Sequence, residues 1–298
     1  MTMEHTRSKR LSERIQQLVF VGPATLFFAI IVVIPFLLSI YYAFTSWNGV
    51  TSIVTWVGFD NYKQIIMEDD GFRDSFWFTA RFTIAAVAIT NIVGFLLALL
   101  LTQKLKTSNF LRTVFFLPNV IGGLLLGFIW SFIFVKGFAA VGDITGIGFF
   151  ELPWLGTSAT AFWGIVIVFV WQLSGYLMVI YIAAIMNVPK ELMEAARIDG
   201  ATRLQLLRSI IVPLIMPAVT VCLFLTISWS FKIFDLNFSL TKGGPFGSTE
   251  SVAINIYQEA FRNNRYGIGT AKALIFFVIV AAITMLQVYF TKRKEVEA

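Results

Sequence analysis

Six apolar runs, each long enough to cross a bilayer, dominate the sequence: residues 18–44, 76–101, 113–135, 161–186, 214–236 and 271–290. A spanning helix needs about 20 such residues. Within hydrocarbon every backbone N–H and C=O must bond internally, and the alternating pattern of a membrane barrel is absent, so each run predicts a helix. The expected fold is all-α and polytopic, with six transmembrane helices. Pro35, Pro118 and Pro217 lie within or near span ends, where a kink is tolerated. Lys272 stands at the start of the last run, and its long stem is expected to reach the interface. Hydrophobic residues make up 57% of the chain and charged ones 13%. A soluble domain carries roughly a quarter charged residues, which excludes an ordinary two-domain soluble enzyme.

The placement of Lys and Arg gives an orientation. The N-terminal tail (Arg7, Lys9, Arg10, Arg14), the second–third loop (Lys104, Lys106, Arg112), the fourth–fifth loop (Lys190, Arg197, Arg203, Arg208) and the C-terminal tail (Lys292, Arg293, Lys294) share one side. The other side holds the smaller set: Lys63, Arg73, Arg81, Lys136, Lys242, Arg262, Arg265 and Lys272. Lys232 falls inside a run. The positive-inside rule then makes both termini cytoplasmic. The net charge of +6 reads as a topology signal facing anionic lipid rather than a nucleic-acid footprint. The first run is too long for a signal peptide and lacks a small-residue cleavage site, so a retained span is expected.

Chemistry-bearing residues are scarce. Cys222 is the one cysteine and His5 the one histidine, which excludes a disulfide framework, a cysteine metal site and a His-based triad. No phosphate-cradling G-x-x-x-x-G-K-[ST], no H-E-x-x-H and no G-x-S-x-G occurs.

The most informative segment is residues 187–213, NVPKELMEAARIDGATRLQLLRSIIVP. Pro189 is placed to open a short helix, and Gly200 to close it in the left-handed conformation. Thr202 with Gln205 forms a capping-box pattern for a second helix. The first helix is expected to expose Leu192, Met193, Ala195 and Ala196 beside Glu191 and Glu194, a surface suited to a partner's groove.

Glu194-Ala195-Ala196, three residues, Gly200, nine residues, then Ile210-x-Val212-Pro213 resembles the EAA loop of ABC importer permeases, with Val212 where the family pattern has Leu. Leu240-Thr241-Lys242-Gly243-Gly244-Pro245, followed by Ser248-Thr249, resembles the LTxGGP segment of carbohydrate-uptake permeases, in particular the subunit paired with a shorter partner. The resemblance implies the type I ABC importer permease fold, with Glu194, Ala195, Ala196, Gly200 and Pro213 in ATPase coupling. It further implies a second, paralogous permease, two ABC ATPase subunits that hold the ATP and magnesium, and an extracytoplasmic solute-binding protein. This chain itself is then expected to bind no cofactor or metal, to catalyse no reaction and to bind no nucleic acid.

Polar residues inside spans are pathway candidates. Ser228, Phe231, Lys232 and Asp235 are spaced to share one face of a continuous fifth helix. The fourth span offers Trp171, Gln172, Leu173 and Tyr176. The resemblance to maltose-type permeases assigns the segments from Trp171 to Tyr176 and from Ser228 to Lys232 to the sugar pathway. Asn91 is expected to serve interhelical bonding. Residues 46–75 and 241–270 are the expected external docking loops. A permease for a phosphate ester or polyol, such as a glycerol phosphate, stays open, as does a secondary transporter. The expected organisation is a cytoplasmic tail (1–17), a first span with its external loop (18–75), a core transmembrane domain (76–290) holding the coupling loop (187–213), and a C-terminal tail (291–298).

Overall fold

The computed structural model describes residues 17, 19–103 and 105–293. His5, Arg7, Lys9, Arg10, Arg14, Lys104 and Lys294 lie outside them. Among the described residues there is no strand, only an isolated bridge between Thr45 and Trp56. Among the described residues five helices are long and apolar enough to cross a membrane: α1 (Val19–Ala43), α3 (Asp70–Leu101), α5 (Gly123–Thr145), α6 (Ser158–Met186) and α11 (Tyr266–Lys292). A bent pair, α8 (Arg203–Leu214) and α9 (Met216–Phe231), passes the same test together and, taken as one span broken by 71°, is the sixth. Shorter helices are α2 (Asp60–Glu68), α4 (Ser108–Val120), α7 (Lys190–Ile198) and α10 (Asp235–Leu240).

The helices divide into two compact units. One comprises residues up to Glu68 together with Gln258–Leu274. In it α1 carries a π turn at Ala29–Val33, just before Pro35; the wider turn accommodates a ring that has no N–H to give. Aromatic rings pack around the end of α1: Tyr42 stacks on Trp47 at 4.2 Å and Trp47 meets Tyr266 edge-on at 5.1 Å. The Asn61 amide donates to the carbonyls of Ala43 and Thr45, each at 2.9 Å. Lys272 does not snorkel as expected. It is fully buried, and its Nζ donates to Glu259 Oε2 at 2.7 Å, while Arg265 pairs with the other carboxylate oxygen at 3.1 Å. A carboxylate within reach replaces water as the ammonium's partner, so the stem has no reason to extend outward.

The other unit, Asp69–Tyr257 with the chain from Ile275, is organised around α6, the most enclosed span. A capping box between Thr157 and Thr160 starts it. One end of α6 packs Ile165, Val168 and Phe169 against Phe78, Phe82, Leu126 and Phe134. The other end packs Leu177, Met178 and Tyr181 against Ala98, Leu101, Ile215 and Cys222. Gly175 lets the α4 backbone sit directly on α6, since a Cβ there would lie 1.8 Å from the Phe115 carbonyl oxygen. Asp69 caps α3 by accepting from the Phe72 N–H at 2.7 Å. At 32 residues α3 is about 48 Å long, and starts well before the expected residue 76.

Two expected spans are broken. The run 113–135 is not one helix: α4 ends at Val120, Ile121 and Gly122 are extended (ψ 126° and 141°), and α5 begins at Gly123. Pro118 followed by a Gly-Gly pair weakens the backbone ladder at that point. The run 214–236 bends at Ile215, where Pro213 and Pro217 each lack a donor, and its helix stops at Phe231. The chain turns through Lys232, Ile233 and Phe234 before α10.

Candidate functional site

The loop 187–213 folds as its residues dictate. Pro189 precedes the first turn of α7, and Gly200 ends it with φ +82°. The Ala201 N–H bonds to the Ala196 carbonyl at 2.9 Å and the Gly200 N–H to the Arg197 carbonyl at 3.1 Å, the two bonds of a Schellman closure. Thr202 and Gln205 then form the expected box: the Gln205 N–H donates to Thr202 Oγ1 at 3.3 Å, and the Thr202 N–H to Gln205 Oε1 at 2.8 Å. No residue of α7 is buried.

Glu194 and Ala195 are exposed, and Ala196 is half-buried. Met193 departs from the expected exposed face. It is half-buried and packs against the cluster that includes Ile185 and Ile215, because its position on α7 faces the spans rather than solvent. Ile198, which the sequence reading passed over, is 86% exposed and joins Leu192 as an uncovered apolar contact. Pro213 lies in the last turn of α8, just before the 71° bend.

The fourth-span residues divide by role. Trp171 is exposed and meets Trp130 edge-on at 5.4 Å, beside a groove of about 610 Å³. Gln172 donates from Nε2 to the Ile121 carbonyl at 3.1 Å, satisfying an acceptor that the α4–α5 break leaves free. Leu173 is buried in the core. Tyr176 is half-buried between Phe116, stacked at 6.4 Å, and Trp229, edge-on at 5.4 Å.

The fifth-span set does not share one helical face. Ser228 is half-buried beside the α11 side chains Thr284 and Met285, and Phe231 is buried against Phe276 at 6.1 Å. Lys232 and Asp235 are both exposed but lie on opposite sides of the break, and form no ion pair. The helical register predicted from spacing ends where the helix does.

Asn91 does what was expected of it. Its Nδ2 donates to Thr226 Oγ1 at 3.0 Å, and the Tyr181 hydroxyl donates to its Oδ1 at 2.8 Å, linking α3, α6 and α9. Tyr181 was missed because nothing in its own neighbourhood of sequence marks a partner 90 residues away.

The segment after α10 is a braced turn. Asn237 Nδ2 donates to the Thr249 carbonyl at 2.8 Å, and the Thr249 hydroxyl to Thr241 Oγ1 at 2.9 Å. Lys242, Gly243, Phe246 and Gly247 all have positive φ, and Phe246 stands fully exposed at the tip. Among the described residues no group of His, Cys, Asp and Glu is placed to hold a metal.

The described residues form apolar spans, two of them interrupted, with a short helical hairpin between the fourth and the fifth. Residues 90–296 match the family described as binding-protein-dependent transport system inner membrane component, and the chain belongs to it. It is a multi-span permease subunit of an importer and is not itself catalytic. It is 50% identical to a probable starch degradation products transport system permease protein (AmyD) of Thermoanaerobacterium thermosulfurigenes, over 93% of this chain and 94% of that one. It is 35% identical to the multiple sugar-binding transport system permease protein MsmF of Streptococcus mutans, over 88% and 90%. A solved bacterial ABC transporter involved in import of the acidic polysaccharide alginate contains a chain that superposes with a TM-score of 0.80, covering 95% of this chain and 99% of that one at 20% identity, which establishes the shared fold.

Proposed function

We propose that the chain forms half of the translocation pathway of an ATP-driven importer for a sugar or oligosaccharide. Starch degradation products, and hence malto-oligosaccharides, are the first candidates, given the name of the relative at 50% identity. Both termini and the α7–α8 loop are cytoplasmic in this reading, in the inner or plasma membrane. A second, different permease supplies the other half of the pathway. Two ATPase subunits hold ATP and magnesium, and an extracytoplasmic binding protein delivers sugar at residues 46–75 and 241–270, where Phe246 stands uncovered.

The observation that carries the reading is α7. It is a short helix locked at its end by a Schellman closure, exposed along the Glu194–Ala195 side, and tied to the spans through Met193. Seated in an ATPase cleft, such a helix moves as a rigid piece, so closure on ATP shifts the ends of α6 and α8 rather than dissipating in a loose loop. Ala195 and Ala196 permit close approach, Glu194 offers an anion to a partner's cation, and Gly200 and Pro213 fix the two ends of the lever. Trp171, Tyr176, Ser228, Lys232 and Asp235 supply rings and polar groups along the pathway. Gln172, Leu173 and Phe231 complete the two segments that carry them.

Glu194→Lys tests the coupling role. Uptake of labelled maltotriose is expected to be lost while the chain stays in the membrane and in its complex; normal uptake would refute the assignment. Gly200→Val, which forces a β-branched residue into a left-handed position, is expected to act in the same direction.

A further inference from the structure

At the same end of the spans as α7 lies a recess of about 740 Å³, lined in part by Met193 but not by Glu194, Ala195, Ala196, Gly200 or Pro213. Lys190, Arg197 and Arg203 line it, and no acidic residue does. Its remaining walls are largely apolar, with Ile185, Met186 and Ile211 among them. The three cations form no ion pair among the described residues. The helix end beside them does not consume their charge: the Leu101 carbonyl at the end of α3 accepts instead from Arg112, at 2.8 Å, and from the Ser108 hydroxyl, at 2.9 Å.

Three unpaired cations above an apolar floor match a ligand with an anionic head and a hydrocarbon body. A free sugar brings neither feature, and a small inorganic anion leaves the floor wet. The position matters as well. The recess opens where spans end and a surface helix begins, the level at which lipid phosphates lie. We propose that this recess binds the head of an anionic phospholipid, with its first acyl methylenes against Ile185, Met186 and Ile211. Bound there, the lipid would bridge α7 to the ends of α3 and α6 and brace the hairpin during coupling. The leaflet involved, the cytoplasmic one, rests on the orientation proposed above; the site itself does not.

The test uses the assembled transporter, purified and placed in nanodiscs of phosphatidylcholine with added phosphatidylglycerol. Retained phosphatidylglycerol is counted by native mass spectrometry after gentle release. The wild type is expected to keep it, and the Lys190→Gln/Arg197→Gln/Arg203→Gln variant to hold it about a hundredfold more weakly. The charge-preserving Lys190→Arg/Arg197→Lys/Arg203→Lys variant should retain it, as should Lys136→Gln, which changes a cation that does not line the recess. Equal retention by the wild type and the neutral variant would overturn the site. Displacement of the lipid by inorganic phosphate at comparable concentration would overturn the lipid in favour of a free anion. Lipid that binds only after the ATPase is stripped away would assign the recess to a protein interface instead. Retention does not require transport, so a Glu194→Lys complex that keeps the lipid separates this inference from the coupling role.

Discussion

The α7–α8 hairpin and the membrane interior are specified in different ways. In the hairpin the residues that shape the helix ends act on neighbours a few positions away: Gly200 closes α7, and Thr202 and Gln205 cap α8. In the interior the decisive partners are remote. Gln172 meets Ile121, Asn91 meets Tyr181 and Thr226, and at the edge of the last span Glu259 meets Lys272. A surface hairpin exposed to water must stabilise itself by local rules, because little tertiary burial is available to it. Spans surrounded by hydrocarbon are free to break wherever another segment satisfies the released backbone. The lesson is that a local motif is the more transferable signal here, and a long apolar run the less complete one.

If remote pairing governs the interior, removing one buried partner should do the greatest harm. Glu259→Ala strips the carboxylate from fully buried Lys272. Breaking a buried pair from one side costs about 3–5 kcal/mol, so thermal unfolding in detergent should show a large loss or no folded protein. A melting curve like that of the wild type would mean that Lys272 is solvated and the pairing unimportant.

Gly175→Ala set beside Gly200→Ala sharpens the contrast with a single added carbon. At Gly175 the new Cβ would meet the Phe115 carbonyl at 1.8 Å, whereas at Gly200 it meets nothing within 4 Å. Overpacking of a close helix contact costs up to about 3 kcal/mol; the strain of a left-handed Ala is nearer 1 kcal/mol. The first variant should therefore lower stability and yield, and the second should keep the fold while weakening uptake. A reversed order of stabilities would break the distinction between the two regions.

The same division explains what was legible in the sequence. Six hydrophobic runs were enough for a six-span architecture, and residues 187–213 gave both helices, the glycine turn and the capping box. The breaks were not legible as breaks. Pro118 and Gly122 signal a weak point, but only the Gln172 side chain, 51 positions on, makes an exposed Ile121 carbonyl tolerable. Nor does the spacing of Ser228, Phe231, Lys232 and Asp235 reveal that the helix stops at Phe231. Periodicity predicts a shared face only while the helix lasts. Lys272 misled for a related reason: an apolar run with a lysine near its end reads as interfacial until a buried carboxylate is placed against it.

A smaller effect is expected at the hydrogen-bonded junction of three spans. Asn91→Leu removes an acceptor from the Tyr181 hydroxyl and a donor from Thr226. Thr226 still donates to the Cys222 carbonyl at 2.7 Å, so one hydroxyl bears most of the loss. Interhelical bonds of this kind in membranes contribute about 0.6–1.7 kcal/mol, and the shift in unfolding should fall in that range. A loss as large as that of Glu259→Ala would make Asn91 an organising residue rather than one link among several.

The least perturbing test addresses the broken fifth span directly. On one continuous helix Lys232 and Asp235 would be three positions apart on the same face, and such a pair couples by about 0.2–0.5 kcal/mol even at an exposed surface. In the structure a helix end and a non-helical Phe234 separate them, and no ion pair forms. A double-mutant cycle of Lys232→Gln and Asp235→Asn should therefore be additive in stability, within about 0.3 kcal/mol. Uptake provides an independent readout, since two exposed groups that act on substrate separately should each alter sugar selectivity in its own pattern. Measurable coupling in stability, together with identical selectivity changes, would restore the continuous helix and with it the single polar face. Additivity with distinct selectivity patterns would place the lysine and the carboxylate on separate walls of the pathway, set there by the break rather than by helical spacing.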